Sequence, residues 1–119
     1  MAEKRRAARV RSRIFQELSV AISGLRDPRL DGVTVTRVEV PDDLTIATVQ
    51  VAIPQSGDER QVLRGLEAAK GRLRGVVGAS LGLRHAPELR FRRDEGPDAG
   101  ERVEALLREI AAARSRSDS

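Results

Sequence analysis

The chain has 119 residues, with 22 Lys and Arg against 18 Asp and Glu, a formal charge of +4 and no cysteine. That is one domain's worth of chain, and disulfides and thiolate metal sites are excluded. A single His rules out a His-rich zinc site but not a Ser/His/Asp triad, and Phe15 and Phe91 are too few rings for a base-stacking platform.

Residues 4–25 read as one amphipathic helix. Val10, Ile14, Leu18, Ala21, Ile22 and Leu25 recur at three- and four-residue steps, with Arg5, Arg6, Arg9, Arg13 and Gln16 on the other side. The helix should end near Gly24, and 26–32 is a connector broken by Asp-Pro and Asp-Gly. Val33 to Val40 and Leu44 to Ile53 alternate apolar and polar residues and are rich in β-branched side chains, which predicts two strands. Pro41-Asp42-Asp43 joins them as an antiparallel hairpin with one apolar face. After a loop at 54–57, residues 58–83 carry a helical stripe through Val62, Leu63, Leu66, Ala69, Leu73, Val76, Val77, Leu81 and Leu83. One helix of that length would span about 39 Å, long for so small a domain, so a break is expected at Ala69-Lys70-Gly71. Glu88 to Arg92 reads as a third strand after Pro87, 94–100 as a loop and 101–113 as a closing helix using Val103, Leu106, Leu107 and Ile110. Residues 1–113 should form one domain, with 114–119 a disordered tail. The order helix, strand, strand, kinked helix pair, strand, helix predicts an α+β two-layer sandwich: a three-stranded sheet with helices on one face.

No grouping of residues has convincing catalytic spacing. Asp42-Asp43 suits a turn, His85 a solvated or helix-capping position, and Ser56 has no Gly-rich helix start after it. No cofactor, metal or small-molecule substrate is expected. No apolar run approaches the ~20 residues of a membrane span, and Met1 to Arg13 has no apolar core of a secretory signal, so a cytoplasmic protein is expected. Two features remain. Basic residues cluster: six lie in 4–13 and eight in 64–93, the latter against only Glu67 and Glu88, whereas 94–104 holds five acids and one Arg. Such segregation gives a one-sided field that steers polyanions. Twenty of the 22 cations are Arg, a planar fork suited to phosphate, although GC-rich coding raises Arg, Ala and Gly together. The second feature is a glycine stripe. Gly71, Gly75, Gly78 and Gly82 fall within about 60° of each other on a helix, opposite its apolar face. They make a smooth surface for close approach, or else mark a frayed helix or packing against the first helix.

Arg26-Asp27-Pro28-Arg29-Leu30, Val33 to Val40, Asp43-Leu44 and Ala47 to Val51 together resemble the pattern of the bacterial ribosome-binding factor A family. Ala69-Lys70-Gly71 matches that family's Ala-x-Gly kink, and Leu83-Arg84-His85-Ala86-Pro87-Glu88-Leu89-Arg90-Phe91 its segment entering the last strand. The likeness runs from about Arg9 to Ile110. It implies a type II KH-like fold and a non-enzymatic, cytoplasmic assembly factor. Such a factor binds the immature small ribosomal subunit and 16S rRNA, supports late maturation and 16S rRNA processing, and is tied to cold adaptation. Ordinary KH domains clamp nucleotides with a GXXG loop; Ala69-Lys70-Gly71 stands in that place here.

The expected RNA contacts are Arg9 and Arg13 on the first helix, Lys70, Arg72 and Arg74 around the kink, and Arg84, Arg90 and Arg92 extending the patch. Asp27 and Pro28 should set a turn and Leu30 pack, with Arg29 open to either role. A monomer is expected. The alternatives are a stand-alone RNA-binding module or RNA chaperone using the same surface, and a protein-interaction adaptor receiving a partner helix on the glycine stripe.

Overall fold

The computed structural model describes residues 2–82, 85–96, 108 and 110–114. The first helix, α1, spans Ala2–Ser23. Val10, Ile14, Leu18 and Ile22 recur every fourth residue and are all buried, so one stripe of the helix enters the core. The helix closes where the Gly24 N–H donates to the Val20 and Ala21 carbonyls. A 3-10 turn follows at Pro28–Leu30. Its N-cap is Asp27, whose carboxylate accepts from the Arg29 N–H, and it delivers the buried Leu30.

The hairpin forms as its alternation predicts, with β1 at Thr34–Glu39 and β2 at Ile46–Ala52. At its tip the Leu44 N–H donates to the Pro41 carbonyl at 3.0 Å, and Asp43 Oδ1 accepts from both the N–H and the hydroxyl of Thr45. The acidic pair at 42–43 therefore lies in a turn in which Asp43 is a turn former. Leu44 takes a left-handed φ of 58°, which carries a backbone cost, and its half-buried side chain packs against the core.

The strand alternation is not continuous. Apolar residues stand at 33 and 35, then at 38 and 40, so the inward set changes parity. Pairing shifts at the same place, from Val35↔Val51 to Arg37↔Gln50, leaving Thr36 as the extra residue of a bulge. Thr36 is buried. Its hydroxyl donates to Asp94 Oδ2 at 2.7 Å, just beyond the third strand, and the Asp94 N–H donates to the Val51 carbonyl. The buried Asp94 also accepts from the Gly96 N–H. Thr36→Val removes the hydroxyl donor and is expected to cost about 1–3 kcal/mol, read as a lower urea midpoint with unchanged slope.

The second long helix, α2, spans Glu59–Leu81. Asp58 caps it by accepting from the Arg60 and Gln61 N–H groups, and Gly82 ends it at φ 61°. The chain stays helical through Ala69-Lys70-Gly71, so the expected division into two helices is corrected: 59–81 is one element. Its length of about 35 Å fits a molecule whose principal extents are 42 × 33 × 26 Å. Val62, Leu66, Leu73 and Val77 carry one buried stripe past the glycine, and Gly71 faces away from it with nothing within 4 Å of a Cβ position. The missing side chain therefore costs the core no contact.

The third strand, β3, spans Glu88–Arg93 and lies parallel to β2, giving the order β1-β2-β3. Both long helices pack on one face of this sheet, over Val35, Val38, Ala47, Val49, Val51 and Leu89. Residues 110–114 are helical, one residue beyond the expected helix end, and Ile110 packs against the core. Most of the expected 101–113 helix and the tail past Arg114 lie outside the described residues. Among the described residues, no helix is long and apolar enough to cross a membrane.

Candidate RNA interface

The two long helices form an antiparallel layer. At one end, Arg13 Nε of α1 donates to Ser80 Oγ of α2 at 2.9 Å. At the other, Leu25 and Arg26, just past α1, stand beside Gly65, Ala68, Ala69 and Arg72 of α2. The outer surface of this layer carries most of the expected contacts.

Their engagement differs. Arg13 is also paired with Glu17 at 3.2 Å, and Lys70 with Glu67 at 3.1 Å. Arg74 donates to the Ala86 carbonyl through Nε and Nη2 at 3.3 and 3.0 Å, tying the segment before β3 to the helix. Each of these cations spends part of its hydrogen-bonding capacity inside the protein. Arg9 and Arg72 are exposed and have no hydrogen bond or ion pair among the described residues.

Arg90 and Arg92 do not join this layer. Along β3 they alternate with Leu89 and Phe91, which face the helices, and side chains on a strand alternate between its two faces. They therefore project from the opposite face of the sheet, where Arg92 is in register with Gln50 and Arg37. Arg90 sits 3.6 Å from Glu88, and Arg37 3.0 Å from Glu39, so that face is nearly balanced in charge. The single patch expected from the sequence is thus divided between two faces. Arg84 lies outside the described residues.

The expected patch left out Arg26 and Arg64. Both are exposed and free of partners among the described residues. Arg64 stands two turns before Arg72 on α2, so extending the helical wheel back from 72 would have found it. Arg26 lies in the 26–32 connector, outside both long helices, where no helical periodicity points to it.

The glycine stripe resolves into three different positions. Gly71 and Gly75 are open, with nothing within 4 Å of a Cβ position. At Gly78 a Cβ would meet Ala86 Cβ at 3.2 Å, and Gly82 is the left-handed helix cap. The smooth surface is thus the Gly71–Gly75 strip. Arg72 and Arg74 lie on its two sides, Arg72 toward the 3-10 turn and Arg74 toward Ala86.

The 3-10 turn rests on α2 at Gly65, where a Cβ would stand 3.0 Å from Leu30 Cδ2 and 3.2 Å from Asp27 Oδ2. Arg29 folds back on Asp27, donating from Nε to Oδ1 at 3.0 Å and from Nη2 to Oδ2 at 2.7 Å. Arg29 is thereby assigned a structural role. These hydrogen bonds hold the Asp27 carboxyl below its ordinary value and the Arg29 guanidinium above its own. A depressed carboxylate pKa contributes stability above the ordinary Asp range, and that contribution is lost as pH falls through the lowered value. In Arg29→Gln, the NMR titration midpoint of Asp27 is expected to rise toward the ordinary Asp value.

Among the described residues, no group of three or more His, Asp or Glu could hold a metal ion. His85 is exposed in a bend. The geometry offers a cationic, ring-poor helical surface.

Comparison with known proteins agrees with this architecture. The family model for ribosome-binding factor A matches residues 6–107. The ribosome-binding factor A of Sorangium cellulosum is 51% identical over 110 residues, covering 89% of each chain. The crystal structure of ribosome-binding factor A from Thermus thermophilus superposes with a TM-score of 0.68 at 29% identity, over 73% of this chain and 93% of that one. The Thermus thermophilus factor as fitted into a cryo-EM map of a 30S complex gives a TM-score of 0.60 at 28% identity, over 71% and 90% of the two chains. The fold is the KH-like fold of those structures. Sequence likeness over nearly the whole chain and shared topology lead to one conclusion: this chain belongs to the ribosome-binding factor A family.

Proposed function

We propose that the chain is a non-enzymatic assembly factor of the small ribosomal subunit. Its outer helix layer docks on folded 16S rRNA during late maturation and supports 16S rRNA processing in the cytoplasm. The observation that carries this reading is the set of exposed guanidinium groups on one layer, Arg9, Arg64 and Arg72, that have no partner among the described residues. A fitted 30S complex of a family member supports the choice of partner. Recognition rests on backbone charge and shape, since the chain has only two aromatic residues to stack on bases. Lys70, Arg13 and Arg74 sit at the same surface and contribute field more than new hydrogen bonds.

Neutralising about five phosphates gives a log–log salt slope of about −3.5 to −4.5 for binding to immature small subunits. A filter-binding titration against KCl reads it, and a slope near zero refutes the reading. Sedimentation separates the RNA-chaperone alternative: an assembly factor is enriched on free small subunits, whereas a general chaperone distributes with bulk RNA.

A further inference from the structure

A notch lies between the 3-10 turn and α2, with a volume of about 410 Å³ and open to solvent. Its floor is Gly65, Ala68 and Ala69, and its wall is Leu25, Asp27 and Leu30. Arg26 enters from the end of α1 and Arg72 from α2. Neither has a hydrogen bond or ion pair among the described residues. The acid at the rim, Asp27, is already engaged by two donors of the Arg29 side chain, and the nearby Glu67 of α2 pairs with Lys70. Two arginines thus line one hollow whose only lining carboxylate among the described residues, Asp27, is already engaged by Arg29. Like charges brought together in this way repel one another unless an anion lies between them. Arg presents a planar fork of donors that matches the oxygens of a phosphate.

We propose that this notch seats one phosphodiester of an RNA backbone, gripped from two sides by Arg26 and Arg72. The small floor residues are part of the device. Gly65 lets the turn sit down on the helix, with Leu30 and Asp27 within 3.0 and 3.2 Å of its Cβ position, and Ala68 leaves the hollow unfilled. The Asp27–Arg29 clamp fixes the loop that carries Arg26, so the seat is formed before RNA arrives. This inference rests on the proposed RNA-binding role and narrows it to a place and a stoichiometry: two arginines, one phosphate.

The test uses the full chain and purified immature small subunits. Arg26→Gln and Arg72→Gln are each expected to weaken binding about tenfold. The double variant should lose clearly less than the product of the two, because both arginines serve the same phosphate. Ala68→Leu fills the notch from an exposed helical position without altering charge, and should also weaken binding about tenfold while thermal stability holds. If the two Arg substitutions multiply independently, or if Ala68→Leu leaves affinity unchanged, the arginines act as separate points of a diffuse field and the seat is overturned. A second arm titrates the wild-type chain with inorganic phosphate and follows the Gly65 and Ala68 amide signals. Weak, non-saturating shifts at millimolar phosphate agree with a site built for a phosphodiester on an extended chain. Saturation at low concentration, with competition against the subunit absent, identifies a small-anion site and overturns the proposal. If the wild-type chain does not bind small subunits at all, it is the RNA-binding role that fails, a result distinct from either outcome for the notch.

Discussion

Charge reversal at Arg9 and Arg72 together is expected to weaken binding to immature small subunits by more than about a hundredfold, while the fold survives. Hydrogen bonds to charged groups contribute about 1.5–3 kcal/mol each, and every 1.4 kcal/mol is tenfold in affinity, so two lost contacts reach that range before repulsion is added. Both side chains are exposed and free of partners among the described residues, so removing them breaks nothing internal. Arg9 and Arg72 also sample the whole layer. Ser80 lies about 12 Å along α2 from Arg72, and Arg9 about 6 Å beyond Arg13, which touches Ser80. The matched control is charge reversal at Arg90 and Arg92 together on the opposite face, expected to change affinity little. Equal losses from the two pairs would place RNA on both faces and sink the one-layer reading.

The second large effect concerns the continuity of α2. Gly71→Pro should destabilise the protein by about 3 kcal/mol or more, because proline inside a helix removes an amide donor and clashes with the carbonyl one turn back. Gly71→Ala should do the reverse and add up to about 1 kcal/mol, since the position is helical and open on all sides. The two substitutions together separate a continuous helix from two helices meeting at Ala69-Lys70-Gly71. At a real break, proline would be tolerated and alanine would bring little. Thermal or urea unfolding of both variants decides.

Much of this fold can be read from the residues themselves. The stripe of Val10, Ile14, Leu18 and Ile22 and the β-branched alternation of the hairpin leave little choice of element type, because burial of one face enforces the period. The bulge was missed: Val33 to Val40 reads as one alternating strand, although its apolar residues change parity between Val35 and Val38, and only the pairing shows that Thr36 is the extra residue. What could not be read is that Thr36 would meet Asp94, fifty-eight residues away. That contact depends on where the third strand enters the sheet. The length of 58–83 argues for a break at Ala69-Lys70-Gly71, yet the buried stripe of Leu66, Leu73 and Val77 runs on past that point on the other side of the helix. The charge clusters gave the sign of the surface but not its sides. Alternation with Leu89 and Phe91 already turned Arg90 and Arg92 away from the helices. Which arginines are occupied, as Arg13 and Arg74 are, depends on tertiary neighbours that no local pattern encodes.

The parallel pairing of β2 with β3 has a consequence for biosynthesis. β2 is the central strand, but its second neighbour arrives only after all of α2 has been made, and the outermost bonds are Glu88 N–H to the Thr45 carbonyl and Asp94 N–H to the Val51 carbonyl. Loop closure over so long a crossover carries an entropic cost that the local hairpin does not. A nascent chain that has emerged only as far as Leu81 therefore lacks one neighbour of its central strand, and the sheet can close only when the last strand has left the exit tunnel.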